Sequence, residues 1–149
     1  MIPTVKIDRP HPYPPRKTPF TIKFWEALAE GRFICTRFGT TGTPVFPPRE
    51  FDPVTWSRDV EWVELSGRGN LYSITSVHAA PAAFREFAPY QVAIVDLDEG
   101  VRLATAFVGP VDTPLDSPVE LVTLRYTDDL AFAARPLAGQ RGSVDKIVP

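Results

Sequence analysis

The sequence predicts a mainly β protein, with an N-terminal helix, a short ribbon-like element and a closed C-terminal barrel. Three observations carry this reading. Five segments, at 60–65, 70–78, 91–97, 101–108 and 119–126, alternate apolar and polar residues with the period of two of a half-buried strand. Turn signals such as Asp98-Glu99-Gly100 join them at short spacing, with no helical pattern between, which argues against a βαβ layout. Helical apolar spacing falls instead near the N-terminus, between Thr18 and Gly31.

Along the chain, residues 1–17 come first. Pro10, Pro12, Pro14 and Pro15 favour extended or polyproline backbone. This arm reads either as a disordered or surface-hugging segment, or as a strap around a partner. In the helix, Thr18 is expected as N-cap, Pro19 in the first turn and Gly31 as the stop. Phe20, Phe24, Ala27 and Leu28 form one apolar stripe; Ile22, Trp25 and Ala29 form a second, nearly opposite. A helix packed on its own domain needs only one stripe. The second either lies in a groove of its own chain or meets another subunit. Gly67-Arg68-Gly69 lacks the strand-loop-helix context of a phosphate loop and reads as a bulge or tight bend.

Residues 37–55 have the spacing of a zinc ribbon without its ligands. Two Cys-x-x-Cys knuckles would put thiolates at Phe38 and Thr41, and at Asp52 and Thr55, and none of these can hold zinc in that way. Asp52 alone would bind a metal weakly. The chain has one cysteine, Cys35, and two histidines, His11 and His78, far apart in sequence. No zinc is therefore expected, and apolar packing must replace it. Phe38, Phe46, Phe51 and Trp56 crowd the segment, so a ribbon held by aromatic burial is predicted.

The surrounding residues carry a family resemblance. They are Phe24-Trp25-Glu26-Ala27-Leu28 with Glu30-Gly31-Arg32, then Phe46-Pro47-Pro48-Arg49, and Trp62-Val63-Glu64-Leu65-Ser66-Gly67-Arg68-Gly69. Tyr72-Ser73, Val77-His78, Pro89-Tyr90 and Leu97-Asp98-Glu99-Gly100-Val101-Arg102-Leu103 follow in order. The set resembles the acyl-CoA-associated family, still named as a domain of unknown function, that joins an N-terminal rubredoxin-like zinc ribbon to a C-terminal OB-fold. The resemblance implies an OB-type barrel behind a ribbon whose zinc ligands are lost here. With the proline-rich start and the patternless end read from composition, the chain divides into an arm at 1–17, the helix and degenerate ribbon at 18–58, the barrel at 59–135 and a tail at 136–149. The resemblance also implies a non-catalytic subunit of lipid or steroid metabolism that docks on a thiolase-fold enzyme acting on coenzyme A thioesters. Such a subunit would support its partner and line the coenzyme A or acyl entrance, with the catalytic residues belonging to the partner. The expected ligand of the complex is the thioester; this chain binds no cofactor of its own.

Composition sets the remaining limits. The net charge of −2 gives no basic field for nucleic acid, so an OB module for single strands is disfavoured. One cysteine excludes an internal disulfide, and Cys35, in a strand-like stretch, reads as a buried inert thiol. No apolar run reaches membrane length and no signal-peptide pattern opens the chain, so a cytoplasmic protein without membrane contact is expected. Candidate coenzyme A or acyl contacts are Arg49, Arg68, His78 and Phe84. The arginines read either as phosphate ligands or as surface ion pairs. His78 reads as a rim residue, or as a general base for which no orienting carboxylate is evident. The candidate partner interface is Ile22, Trp25, Ala29 and Phe46. The alternative from another functional class is a stand-alone acyl-CoA binder or weak thioesterase, with His78 and an arginine in its own pocket.

Overall fold

The structure is a computed structural model and describes residues 1–137 of the 149-residue chain; the expected tail lies outside the described residues beyond Leu137. The alternating segments form strands, as their period requires. In chain order the elements are β1 (Thr4–Lys6), α1 (Ile22–Ala29), β2 (Phe33–Phe38), β3 (Pro44–Val45), β4 (Val60–Leu65) and β5 (Arg68–Val77). A 3-10 turn (Ala82–Phe87) precedes β6 (Tyr90–Leu97), β7 (Arg102–Phe107), β8 (Pro118–Arg125) and β9 (Leu130–Pro136). Among the described residues no helix is long and apolar enough to cross a membrane.

Strands β8, β5, β6, β7 and β9 pair in that order, and β8 pairs with β9 to close an OB-type barrel. Leu71, Val95, Leu103, Phe107 and Leu121 fill it as the inward half of the alternation. The bend expected at Gly67-Arg68-Gly69 is present. Gly67 has φ +73°, and a Cβ on Gly69 would collide with the Asp96 carbonyl of the neighbouring strand. A bulge between Leu71 and Ser73 then bends β5 further.

Strand β4 is the alternating segment that the 59–135 boundary placed in the barrel. It pairs instead with β2, from Phe33 opposite Leu65 to Phe38 opposite Val60, in a separate sheet ordered β3-β2-β4. Alternation reports a half-buried strand but not which sheet holds it. The barrel takes its last strand from 130–136, where alanines replace large residues and leave no clear period.

Helix α1 begins later than expected. Thr18 does not cap it: Thr18 and Thr21 exchange backbone N–H to side-chain Oγ1 bonds at 2.9 and 3.1 Å, closing a turn that delays the helix to Ile22. Gly31, at φ +78°, ends it as predicted. Phe24 of α1, Phe33 of β2, Phe46 just after β3 and Phe132 of β9 then meet with ring centroids 5.1–6.0 Å apart. Helix, ribbon and barrel thus share one aromatic core.

The arm is the surface-hugging alternative, in ordered form. Strand β1 adds to β8 in parallel, Ile2 and Ile7 are buried, and the Thr127 N–H donates to the Arg9 carbonyl. Farther along, the His11 ring packs edge-on against Tyr126 at 4.5 Å, and the Arg9 guanidinium lies 4.0 Å from the Phe87 ring centre.

Two predictions follow from this packing. Phe33→Ala should cost about 3–5 kcal/mol in urea unfolding, because a fully buried ring at the shared core leaves a cavity. The second concerns acid. Burial holds the His11 imidazole below its ordinary 6.5, although Asp129 and Asp128 pull the other way, and Nδ1 accepts the Tyr13 N–H, which only a neutral nitrogen can do. The folded state therefore binds fewer protons here than the unfolded chain. Stability from this group is complete above pH 6.5 and is lost as pH falls below it. Hydrogen exchange across 2–13, corrected for intrinsic rates, should accelerate over that fall, and His11→Phe should abolish the effect. The same acceleration in the variant contradicts the assignment.

Candidate functional site

The ribbon sheet carries two turns where zinc knuckles would stand. In the first, the Thr41 and Gly42 N–H groups both donate to the Phe38 carbonyl, at 3.2 and 2.8 Å. In the second, the Asp52 N–H donates to the Ser57 carbonyl and the Trp56 N–H to the Asp52 carbonyl, at 2.9 and 2.8 Å. The Asp52 side chain closes this turn and ties it to the first. Its Oδ1 accepts the N–H groups of Val54 and Thr55, at 2.8 and 3.4 Å, and its Oδ2 accepts the Thr40 hydroxyl at 3.1 Å. Asp52 is only 2% exposed. The Val54 N–H, followed by the Thr55 and Thr40 donors, outweighs desolvation and holds the carboxyl below its ordinary 3.8.

The residues at the four ligand positions do not fit zinc. Phe38 is buried in the core, Thr41 and Thr55 are exposed, and the Asp52 oxygens are taken by backbone and hydroxyl donors. Among the described residues no three His, Cys, Asp or Glu side chains are grouped to hold a metal.

Aromatic burial holds the ribbon only in part. Phe38 is buried and Phe46 joins the four-ring core, but Phe51 and Trp56 do not go inside. They stack on each other at the surface, centroids 5.3 Å apart and planes 3° from parallel, with Trp56 74% exposed. The turn around the Asp52 carboxylate uses the local backbone groups and points the rings outward. Trp56 also has φ +59°, which costs a residue with a Cβ about 1–2 kcal/mol. Val54, at the same tip, is largely exposed too.

The expected interface residues divide. Ile22 and Ala29 are exposed on α1, so the second stripe is open there. Trp25 is half-buried, lying edge-on to Phe24 with the Lys17 ammonium 5.8 Å from its ring. Phe46 is engaged internally, although part of its surface remains accessible.

The four expected coenzyme A contacts are not brought together. Arg49 sits on the ribbon, its N–H donating to the Thr36 hydroxyl at 2.9 Å. Arg68 opens β5 and His78 follows its end, and a ten-residue strand separates them by about 30 Å. Phe84, in the 3-10 turn, is edge-on to Tyr90 and Tyr13. Among the described residues neither arginine forms an ion pair, and the His78 ring has no hydrogen-bond partner. Burial pushes the Cys35 thiol up to about 11, as expected of an inert core cysteine. Sequence reasoning weighed Asp52 only as a weak metal ligand and missed its role as a staple. The signal was Asp52-Pro53-Val54-Thr55, since an aspartate opening a turn accepts the N–H two residues on.

Comparison with known proteins completes the description. Residues 62–124 match the family model described as ChsH2, C-terminal OB-fold domain. A DUF35 domain-containing scaffold protein of Methanocaldococcus jannaschii is 35% identical over 112 residues, spanning 72% of this chain and 79% of that protein. The chain belongs to the DUF35 family. It is also 30% identical to the benzoylsuccinyl-CoA thiolase subunit BbsA of Thauera aromatica, over 82% of this chain and 88% of the subunit. A solved structure of an Ltp2-ChsH2(DUF35) aldolase superposes with a TM-score of 0.69 at 32% identity, covering 82% of this chain and 98% of the other.

The staple is testable. Asp52→Ala should lower the melting temperature and expose 40–56 to limited proteolysis, while Asp52→Asn, which keeps an acceptor oxygen, should fall between. Because the folded carboxyl is depressed, this stabilisation is present above the ordinary carboxylate range and lost as pH falls through the folded value. An unchanged cleavage pattern in Asp52→Ala would contradict the role.

Proposed function

We propose that this chain is a non-catalytic accessory subunit that docks on a thiolase-fold enzyme acting on coenzyme A thioesters, and that the ribbon tip is its principal docking surface. The observation that carries this reading is the Phe51–Trp56 stack, displayed outward on a turn that holds a tryptophan at positive φ. Exposed aromatic area and backbone strain both work against the isolated fold, and such features concentrate where a partner is met. The open part of the second helical stripe, Ile22 and Ala29, offers a second exposed apolar patch.

The relatives support the class of partner. Their names describe a scaffold protein, a thiolase subunit and a component of an aldolase. The chain's own chemistry agrees with a supporting role: its cysteine is buried, and among the described residues no carboxylate is hydrogen-bonded to His78. The reading takes no zinc on this chain, because the ligand positions are filled by a core phenylalanine, two threonines and a hydrogen-bonded aspartate. It also places the protein in the cytoplasm.

The test is affinity purification of the tagged chain from its native host, followed by identification of what accompanies it. A thiolase-fold protein is expected. The double variant Phe51→Ser, Trp56→Ser should weaken that complex by about thirtyfold or more, the loss typical of a tryptophan anchor, and leave the fold of the free chain intact. Recovery of no thiolase-fold protein, or an undiminished complex in the double variant, overturns the reading.

A further inference from the structure

Between the strand-paired part of the arm and α1 runs a proline-rich strap, residues 12–17. It is pegged beside the β8–β9 turn at both ends. Upstream, the His11 N–H donates to Asp128 at 2.7 Å and the His11 ring packs on Tyr126. Downstream, the Lys17 ammonium pairs with Asp129 at 2.5 Å. Pro12, Pro14 and Pro15 fix φ along the strap, and the last two also hold the residues before them, Tyr13 and Pro14, in extended backbone. No backbone N–H among the described residues donates to a carbonyl between 12 and 16. A polyproline II helix likewise has no internal hydrogen bonds.

Burial along the strap repeats every three residues. Pro12 and Pro15 are half-buried, whereas Tyr13, Pro14, Arg16 and Lys17 are exposed. Polyproline II has three residues per turn, so 12 and 15 share the one edge that lies against the protein. The other two edges are open. Tyr13 and Arg16 share one of them, about 9 Å apart. A stiff connector needs no aromatic ring on its outer edge. Yet the Tyr13 ring is 68% exposed, with Phe84 edge-on to it at 6.4 Å. Arg16 has no ion pair among the described residues.

We propose that this strap is a further docking element, bound as a polyproline II ligand by a groove on the partner enzyme that is lined with aromatic rings and carries a carboxylate where it meets Arg16. Prolines present flat apolar edges to such rings, and a strap already held extended loses little entropy on binding. Its open carbonyls accept hydrogen bonds from a tryptophan N–H or a tyrosine O–H of the groove. The unpaired guanidinium sets the direction, because only one orientation brings it to the carboxylate. The identity of the partner rests on the accessory-subunit reading; the chemistry of the groove does not.

The complex of the full chain with its thiolase-fold partner tests the strap. With Tyr13 replaced by photoreactive benzoylphenylalanine, irradiation should crosslink the chain to the partner, at a segment that carries aromatic and acidic residues. Arg16→Glu should weaken the complex by about tenfold or more, because it turns an attraction into a repulsion. The double variant Pro14→Gly, Pro15→Gly should weaken it by about fivefold or more, because the strap regains freedom that binding must remove. Arg16→Glu should leave the melting temperature of the free chain unchanged, since Arg16 makes no pair there. A crosslink from position 13 together with weakened binding in both variants supports the proposal. A recovered complex that gives no crosslink from position 13, or that Arg16→Glu leaves undiminished, overturns the strap and leaves the ribbon-tip reading standing. Recovery of no thiolase-fold partner overturns both, since both name that partner.

Discussion

Everything else in the molecule hangs on the contact among Phe24, Phe33, Phe46 and Phe132. One ring comes from the helix, one from the ribbon sheet, one from the segment after β3 and one from the last barrel strand. Most of the pairs are edge-to-face, each adding about 0.5–1.5 kcal/mol beyond the area it buries. Phe24 and Phe33 are almost wholly buried. The cluster makes the ribbon part of the same core as the barrel and holds its base in place.

The tip of the ribbon is a separate problem, solved by different chemistry. Beyond Phe38, the two short turns bury little apolar surface of their own. The Asp52 carboxylate accepts two backbone donors of its own turn and a hydroxyl from the other, and so ties the two turns together. The staple between the turns is hydrogen-bonded, and the rings of Phe51 and Trp56 are left outside.

Much of this was legible in the sequence. Period-two alternation located β4 to β8, and Gly31 marked the helix end. Less was legible wherever side-chain direction or pairing partner mattered. Alternation could not assign β4 to the ribbon sheet, and alanine-rich β9 had no period to read. The aromatics of 38–56 looked equivalent, yet two face inward and two outward, because Asp52 dictates the path of the second turn. The expected site residues Arg68 and His78 are near in sequence, but an extended strand holds them far apart. The converse holds for Lys6 and Arg125: 119 positions apart in number, they become neighbours only through a parallel pairing that no local pattern announces.

The central claim is that a metal-free ribbon serves as a docking shape for an acyl-CoA enzyme. Native mass spectrometry of the complex purified from its host, before and after exposure to a strong zinc chelator, addresses both halves at once. The account predicts a hetero-oligomer of this chain with a thiolase-fold subunit, unchanged by the chelator, in which this chain has its metal-free mass. A chain that carries zinc, or a complex that dissociates when metal is removed, would contradict it.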